Sequence, residues 1–143
     1  MGTLEERIQA LEDRDEIREL TARYCHAVVR KDGPALAGMF CEDGEMRMGE
    51  TVMRGREELL DGYSGPALTD IAPKPFIQNH VIELDGDRAS GLCSAELRLV
   101  QDGEAYTAAG HYEDEYRRVD GTWKFASRNF VVYHWVPLSR GWA

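Results

Sequence analysis

The sequence predicts an α+β fold in which helices come first and a mainly antiparallel sheet follows. Three observations carry that expectation. Apolar residues recur at helical spacing through the N-terminal half, they alternate from Phe76 onward, and the alternating runs are separated by Asp-Gly turns. At 143 residues and 16.2 kDa the chain has the length of one domain, residues 1–143, and 43% hydrophobic with 30% charged residues rules out disorder as a description of the whole.

Thr3 with Glu6 reads as a capping box, and Leu4, Ile8 and Leu11 follow at helical spacing, which predicts a first short helix. Asp13 with Glu16 repeats the start signal. Ile17, Leu20, Tyr24, Ala27 and Val28 then keep one stripe apolar, so a long helix is expected from about Asp13 to Arg30. Asp32-Gly-Pro34 stops it and opens another helix, with Leu36, Met39 and Phe40 as its buried edge. Met46 and Met48 alternate with charged residues up to Gly49-Glu50 and Val52, the pattern of a small hairpin. Gly55-Arg-Glu-Glu begins a third helix with Leu59, Leu60 and Tyr63 inward. Ser64 to Pro75 holds too many breakers for an element of its own and reads as a loop over the mouth of a cavity.

The strands are expected at Phe76 to Leu84, Arg88 to Val100, Ala105 to Arg118 and Thr122 to Trp135. A loop of Gln101 to Glu104 sets Leu99 opposite Tyr106, Leu97 opposite Ala108, Ala95 opposite Gly110 and Cys93 opposite Tyr112. A three-residue turn at Val119-Asp-Gly sets Tyr112 opposite Arg128, Gly110 opposite Phe130, Ala108 opposite Val132 and Tyr106 opposite His134. A two-residue turn there brings Asn129, Val131 and Tyr133 inward instead.

With 17 Lys plus Arg against 26 Asp plus Glu, the net charge of −9 repels phosphate backbones and anionic lipid, which excludes nucleic acid and membranes as expected partners. No apolar run approaches the roughly 18 residues of a membrane span and the N-terminus carries no secretory signal, so the expected location is cytoplasmic. Cys25, Cys41 and Cys93 have no C-x-x-C spacing and read as reduced core thiols. His26, His80, His111 and His134 never fall at H-x-x-x-H spacing, so no metal site is expected.

The segment Glu16 to Asp32, then Ala37-Gly-Met-Phe, Gly55-Arg-Glu-Glu-Leu, Gly110-His-Tyr-Glu-Asp-Glu-Tyr and Asp120-Gly-Thr-Trp-Lys-Phe, resembles the SnoaL-like branch of the nuclear transport factor 2-like superfamily. The resemblance spans nearly the whole chain. It implies a cystatin-like cone: N-terminal helices packed on a curved mixed sheet, with an apolar pocket at the open end. Its bile acid 7α-dehydratase, hexachlorocyclohexane dehydrochlorinase and scytalone dehydratase-like enzymes eliminate water or chloride from small apolar molecules. They use a histidine base held by a helix aspartate. Carried over by position, the resemblance places a catalytic tyrosine on Tyr24, an assisting arginine on Arg128 and an asparagine on Asn79. The aspartate falls on Val29 and the histidine on Pro75, neither of which can abstract a proton. Strand alternation turns His80 outward, away from recruitment as a substitute.

The expected catalytic residues are therefore Tyr24, Arg128 and His134, the last a titratable group near the open end with Tyr106 opposite to orient it. Arg128 either clamps an anion or carbonyl, or pairs with Asp114. The expected binding wall comprises His26, Val29 and Asn79 with Ala95, Leu97, Tyr106, Ala108, Tyr112, Phe130 and Val132. The expected function is that of a cofactor-free lyase, isomerase or cyclase acting on a small hydrophobic substrate, polycyclic ones included. The alternatives are a binding module and an assembly domain. A cavity of roughly 300 Å³ or more lined by His134 or His26 speaks for the enzyme. In the same register Trp123, Phe125, Val131, Tyr133 and Trp135 face outward, an apolar patch that predicts a homo-dimer or homo-trimer through the outer sheet face.

Overall fold

A computed structural model describes residues 2–143. The capping box forms as expected, but the helix it opens, α1, runs without interruption from Leu4 to Arg30. Asp13 caps nothing. Its carboxylate accepts from Gln9 Nε2, from Arg118 Nη1 and from the Trp123 indole N–H, at 3.0, 2.6 and 3.1 Å. No breaker lies between Leu11 and Asp13, and partners from a distant hairpin satisfy the carboxylate more fully than a cap would. The stripe Ile17, Leu20, Thr21, Tyr24, Ala27 and Val28 is buried, whereas Leu4, Ile8 and Leu11 are exposed.

Asp32 caps α2 (Gly33–Gly38) through Ala35 N–H. Phe40 belongs not to that helix but to β1 (Phe40–Met48), where it is wholly buried. The expected hairpin about Gly49-Glu50 joins β1 to β2 (Thr51–Arg54), and α3 (Gly55–Tyr63) follows with Leu59 and Tyr63 inward and Leu60 exposed. The predicted loop contains one turn of helix, α4 (Pro66–Thr69), before β3 (Lys74–Asp85), β4 (Arg88–Gln101), β5 (Glu104–Val119) and β6 (Thr122–Pro137). The sheet runs β2-β1-β6-β5-β4-β3, with β1 parallel to β6 and every other pair antiparallel. The fold is thus α+β with helices against an open mixed sheet. Among the described residues no helix is long and apolar enough to cross a membrane.

The β4–β5 register is the predicted one, closed by the two residues Asp102 and Gly103 at positive φ. The β5–β6 turn is also two residues, Asp120-Gly121, so Arg118 faces Trp123 rather than Thr122. That turn alone would bring Asn129 inward. It does not, because an extra residue at Ala126 bulges β6 and returns Arg128 and Phe130 to the inner face. Gly110 faces Val132 in that phase, and a second extra residue, Tyr133, reverses it again: Ala108 faces Trp135 and His134 turns outward. Trp123 and Phe125 are consequently core residues, 1% and 0% exposed, not members of an outer patch. A third bulge at Asn79, whose φ is +50°, shifts β3 so that His80 points inward against the expectation.

Candidate functional site

The pairings set the inner side chains of β4, β5 and β6 in successive rows: Gly91, Asp114, Arg128; then Cys93, Tyr112, Phe130; then Ala95, Gly110, Val132; then Leu97, Ala108, Trp135. The third row is the one with the smallest side chains. A cavity of about 230 Å³ opens beside it, walled by Tyr112 and Phe130 from the row below and by Leu97 and Trp135 from the row above. Tyr24 and Val28 of α1, Met46, Met48 and Met53 of the β1–β2 hairpin, and Tyr63 of α3 complete much of the wall. Ala67, Leu68, Ile71 and Pro73 of the breaker-rich segment cover it, as the sequence suggested.

The wall is apolar except for hydroxyls. Tyr24 Oη and Tyr63 Oη share a hydrogen bond of 2.7 Å, with both rings buried. Burial pushes the pKa of Tyr24 up despite the opposing field of Arg128, and pushes Tyr63 well above the ordinary value, so both phenols are neutral at physiological pH. Tyr112, also raised by burial, stands across from Phe130 with ring centroids 4.8 Å apart.

The charged row lies beneath this floor. Arg128 Nε and Nη2 donate to the two oxygens of Asp114 at 2.8 and 3.0 Å, and both side chains are fully buried. The guanidinium carbon lies 3.6 Å from the Tyr112 ring centroid, 4.4 Å from Phe125 and 4.5 Å from Tyr24. Its Nη1 has only these rings for company. Burial works against the charge of Arg128, but Asp114 outweighs it and raises the pKa well above the ordinary value. Of the two roles open to Arg128 in the sequence, the structure builds the ion pair. Tyr116 Oη donates to Asp114 at 2.7 Å, so its oxygen accepts from His80 Nε2 at 2.9 Å, which assigns the imidazole tautomer. A Cβ at Gly91 would stand 2.8 Å from Tyr116 Oη; only glycine leaves room for this chain of bonds.

Of the predicted site residues, the structure brings Tyr24, Leu97, Tyr112 and Phe130 together around the cavity, with Ala95 and Ala108 buried on the same sheet face. The others lie elsewhere. His26 and Val29 are on the solvent side of α1, because Tyr24, Ala27 and Val28 occupy its inward stripe. Asn79 is exposed at its bulge, where left-handed backbone suits asparagine. Tyr106, opposite the buried Leu99, packs half-buried against the core outside the cavity and borders a groove with Leu138 and Trp142, and Val132 is 38% exposed. His134 stacks on Trp142 with ring centroids 5.5 Å apart, away from the cavity. The sequence did not mark Val28, Met46, Met48, Met53, Tyr63 or Trp135 as wall residues; the helical spacing that turned Val28 and Tyr63 inward was the available signal for those two. Among the described residues no group of three or more His, Cys, Asp or Glu is placed to hold a metal ion. The three free thiols are buried, and burial pushes Cys93 up to about 11.

Residues 9–129 match the family model of the SnoaL-like domain. The chain belongs to the SnoaL-like domain family. A curated relative, the gamma-hexachlorocyclohexane dehydrochlorinase of Sphingobium indicum, is 26% identical over 138 residues, covering 92% of this chain and 88% of that one. This SnoaL-like chain is similar in structure to the hexachlorocyclohexane dehydrochlorinase LinA type 2. The TM-score is 0.84 at 25% identity, over 92% of this chain and 93% of the other. It is also similar to a nuclear transport factor 2-like protein with a cystatin-like fold from Novosphingobium aromaticivorans, with a TM-score of 0.81 at 27% identity over 93% and 92% of the two chains. The SnoaL-like domain here therefore has the nuclear transport factor 2-like, cystatin-like fold. Pro75 stands in its cavity wall, and the wall holds no imidazole or carboxylate.

Proposed function

We propose that this SnoaL-like domain is a cofactor-independent lyase that eliminates water from a small apolar hydroxy compound, with Tyr24 and Tyr63 as its reacting groups. The observation that carries the reading is the hydrogen-bonded phenol pair in the wall of an otherwise apolar cavity. Two neutral phenols in contact form a relay that needs no ionised base. One oxygen takes the proton from carbon while its own proton passes to the second oxygen. The proton of the second phenol goes to the departing hydroxyl, which leaves as water. Both tyrosines end as they began, and a carbonyl beside the reacting carbon supplies the acidity. The isomerase and cyclase alternatives use the same pair, with the proton returned to carbon. The elimination chemistry of the dehydrochlorinase relatives supports the class of reaction.

A second reading, a non-catalytic binding module, is favoured by the absence of any carboxylate or imidazole from the wall and by a volume of 230 Å³. An assay separates the two. A panel of cyclic β-hydroxy ketones is incubated with the protein, and enone absorbance is followed. The lyase reading expects turnover that falls about 10²- to 10⁴-fold in Tyr24→Phe and in Tyr63→Phe. Tight binding without turnover selects the binding module, and full activity in both variants removes the relay.

A further inference from the structure

We propose that Trp135, held by Gln101, sets the size limit of the cavity's ligand and restricts it to neutral one- or two-ring molecules bearing a hydroxyl or carbonyl. This rests on reading the cavity as a ligand site and adds what that site admits. At about 230 Å³ the space is below the roughly 300–1,000 Å³ of pockets that take drug-sized ligands. No charged side chain lines it, so an ionised ligand would lose its hydration without a partner. The Tyr24–Tyr63 pair offers a hydrogen bond to a hydroxyl or carbonyl, and the rings of Tyr112 and Phe130 offer flat apolar faces.

The walls differ in how far they can give way. Met46, Met48 and Met53 are unbranched thioethers that change rotamer to fit a guest. Trp135 is less free to follow them, because its bulky indole is tethered by an N–H bond to Gln101 Oε1 at 2.9 Å. Gln101 is itself paired with Glu104 on the last rung of the β4–β5 hairpin, so the anchor stands on sheet rather than loop. The tyrosine pair and this indole stand in the wall of the same cavity, so a guest bonded to the pair and long enough to reach the indole meets a wall that is slow to yield. Trp135 occupies that place only because the bulge at Tyr133 turns it inward in exchange for His134.

The test uses two neutral hydroxylated probes, 2-naphthol with two rings and testosterone with four. Each is titrated by calorimetry into the full chain, into Trp135→Ala and into Gln101→Ala, with circular dichroism to establish that each is folded. Gln101→Ala frees the indole without opening a void, so it remains informative if Trp135→Ala does not fold. The wild type is expected to bind 2-naphthol at least about tenfold more tightly than testosterone. Each folded variant is expected to gain about tenfold or more for testosterone, with 2-naphthol shifting by less than about threefold. Equal affinities in the wild type, or an unchanged ratio in the variants, overturn the role of Trp135 alone. Failure of all three proteins to bind either probe overturns the ligand-site reading as well.

Discussion

Arg128 shows how one residue changes meaning once its surroundings are known. Its guanidinium is shut beneath the cavity floor and its partner Asp114 is equally buried, so Arg128→Met leaves a carboxylate with no cation. Urea unfolding is expected to register a loss of about 3–5 kcal/mol for that variant. Arg128→Met combined with Asp114→Leu should recover much of it, since the uncompensated charge is gone. His80 makes a second residue-scale prediction, in pH. Burial lowers its pKa from 6.5, helped by Arg128 and Arg18 and opposed by Asp114, so the unfolded chain takes up its proton first as the pH falls. Stability is therefore full above about pH 6.5 and declines below it, until the lowered native pKa is passed. His80→Gln should flatten thermal melts over that interval. Asp13 acts in a lower window. Burial raises its pKa, but the hydrogen bonds from Arg118, Trp123 and Gln9 outweigh this and leave it below 3.8, so its contribution persists to pH 3.8 and is lost on further acidification.

At the scale of elements, β6 is the strand on which the site depends. Its two bulges alternate the phase, so that Phe125, Arg128, Phe130 and Trp135 all reach the interior from positions that no uniform alternation would share. Gly110 makes the second bulge possible: a Cβ there would lie 2.0 Å from the Val131 carbonyl oxygen and 3.1 Å from the Phe130 ring. Gly110→Ala is expected to cost about 1–3 kcal/mol in chemical denaturation, as other overpacked sites do. Because Trp135 follows that bulge, the same variant should also narrow the preference for 2-naphthol over testosterone.

For the whole molecule, the outer sheet face is the surface on which self-association remains a proposal. Trp123 and Phe125 have left it for the core and Trp135 for the cavity, while Val131 and Tyr133 stay, joined by the exposed Val81 and Leu92. The Tyr133 hydroxyl bonds His111, which contacts Glu113 at 3.0 Å, so the face is partly polar. Light scattering at micromolar concentration is expected to give a multiple of 16.2 kDa, and Tyr133→Lys to return it to the monomer. A monomeric wild type refutes assembly. Trp123→Lys should unfold the chain instead of dissociating it, since that indole is 1% exposed and bonded to Asp13.

Period and turn chemistry are local properties, and they were legible. The apolar stripe of α1, the alternation of the strands, the positions of the hairpin turns and the register of β4 against β5 follow from the order of residues, because each depends on neighbours a few positions away, although the β5–β6 turn holds two residues where three were expected. The candidate site was legible where it relied on those features, as at Tyr24, Leu97 and Tyr112. What only the tertiary structure decided is the phase of a strand after a bulge. Asn79, Ala126 and Tyr133 each add one residue, and each reverses every side chain beyond it. Which phase prevails depends on what the strand packs against: Trp123 on Asp13 of α1, Phe125 among Phe40 and Tyr24, and Arg128 on Asp114. Those partners lie far away in the chain or on another strand, and no local pattern in β6 contains them.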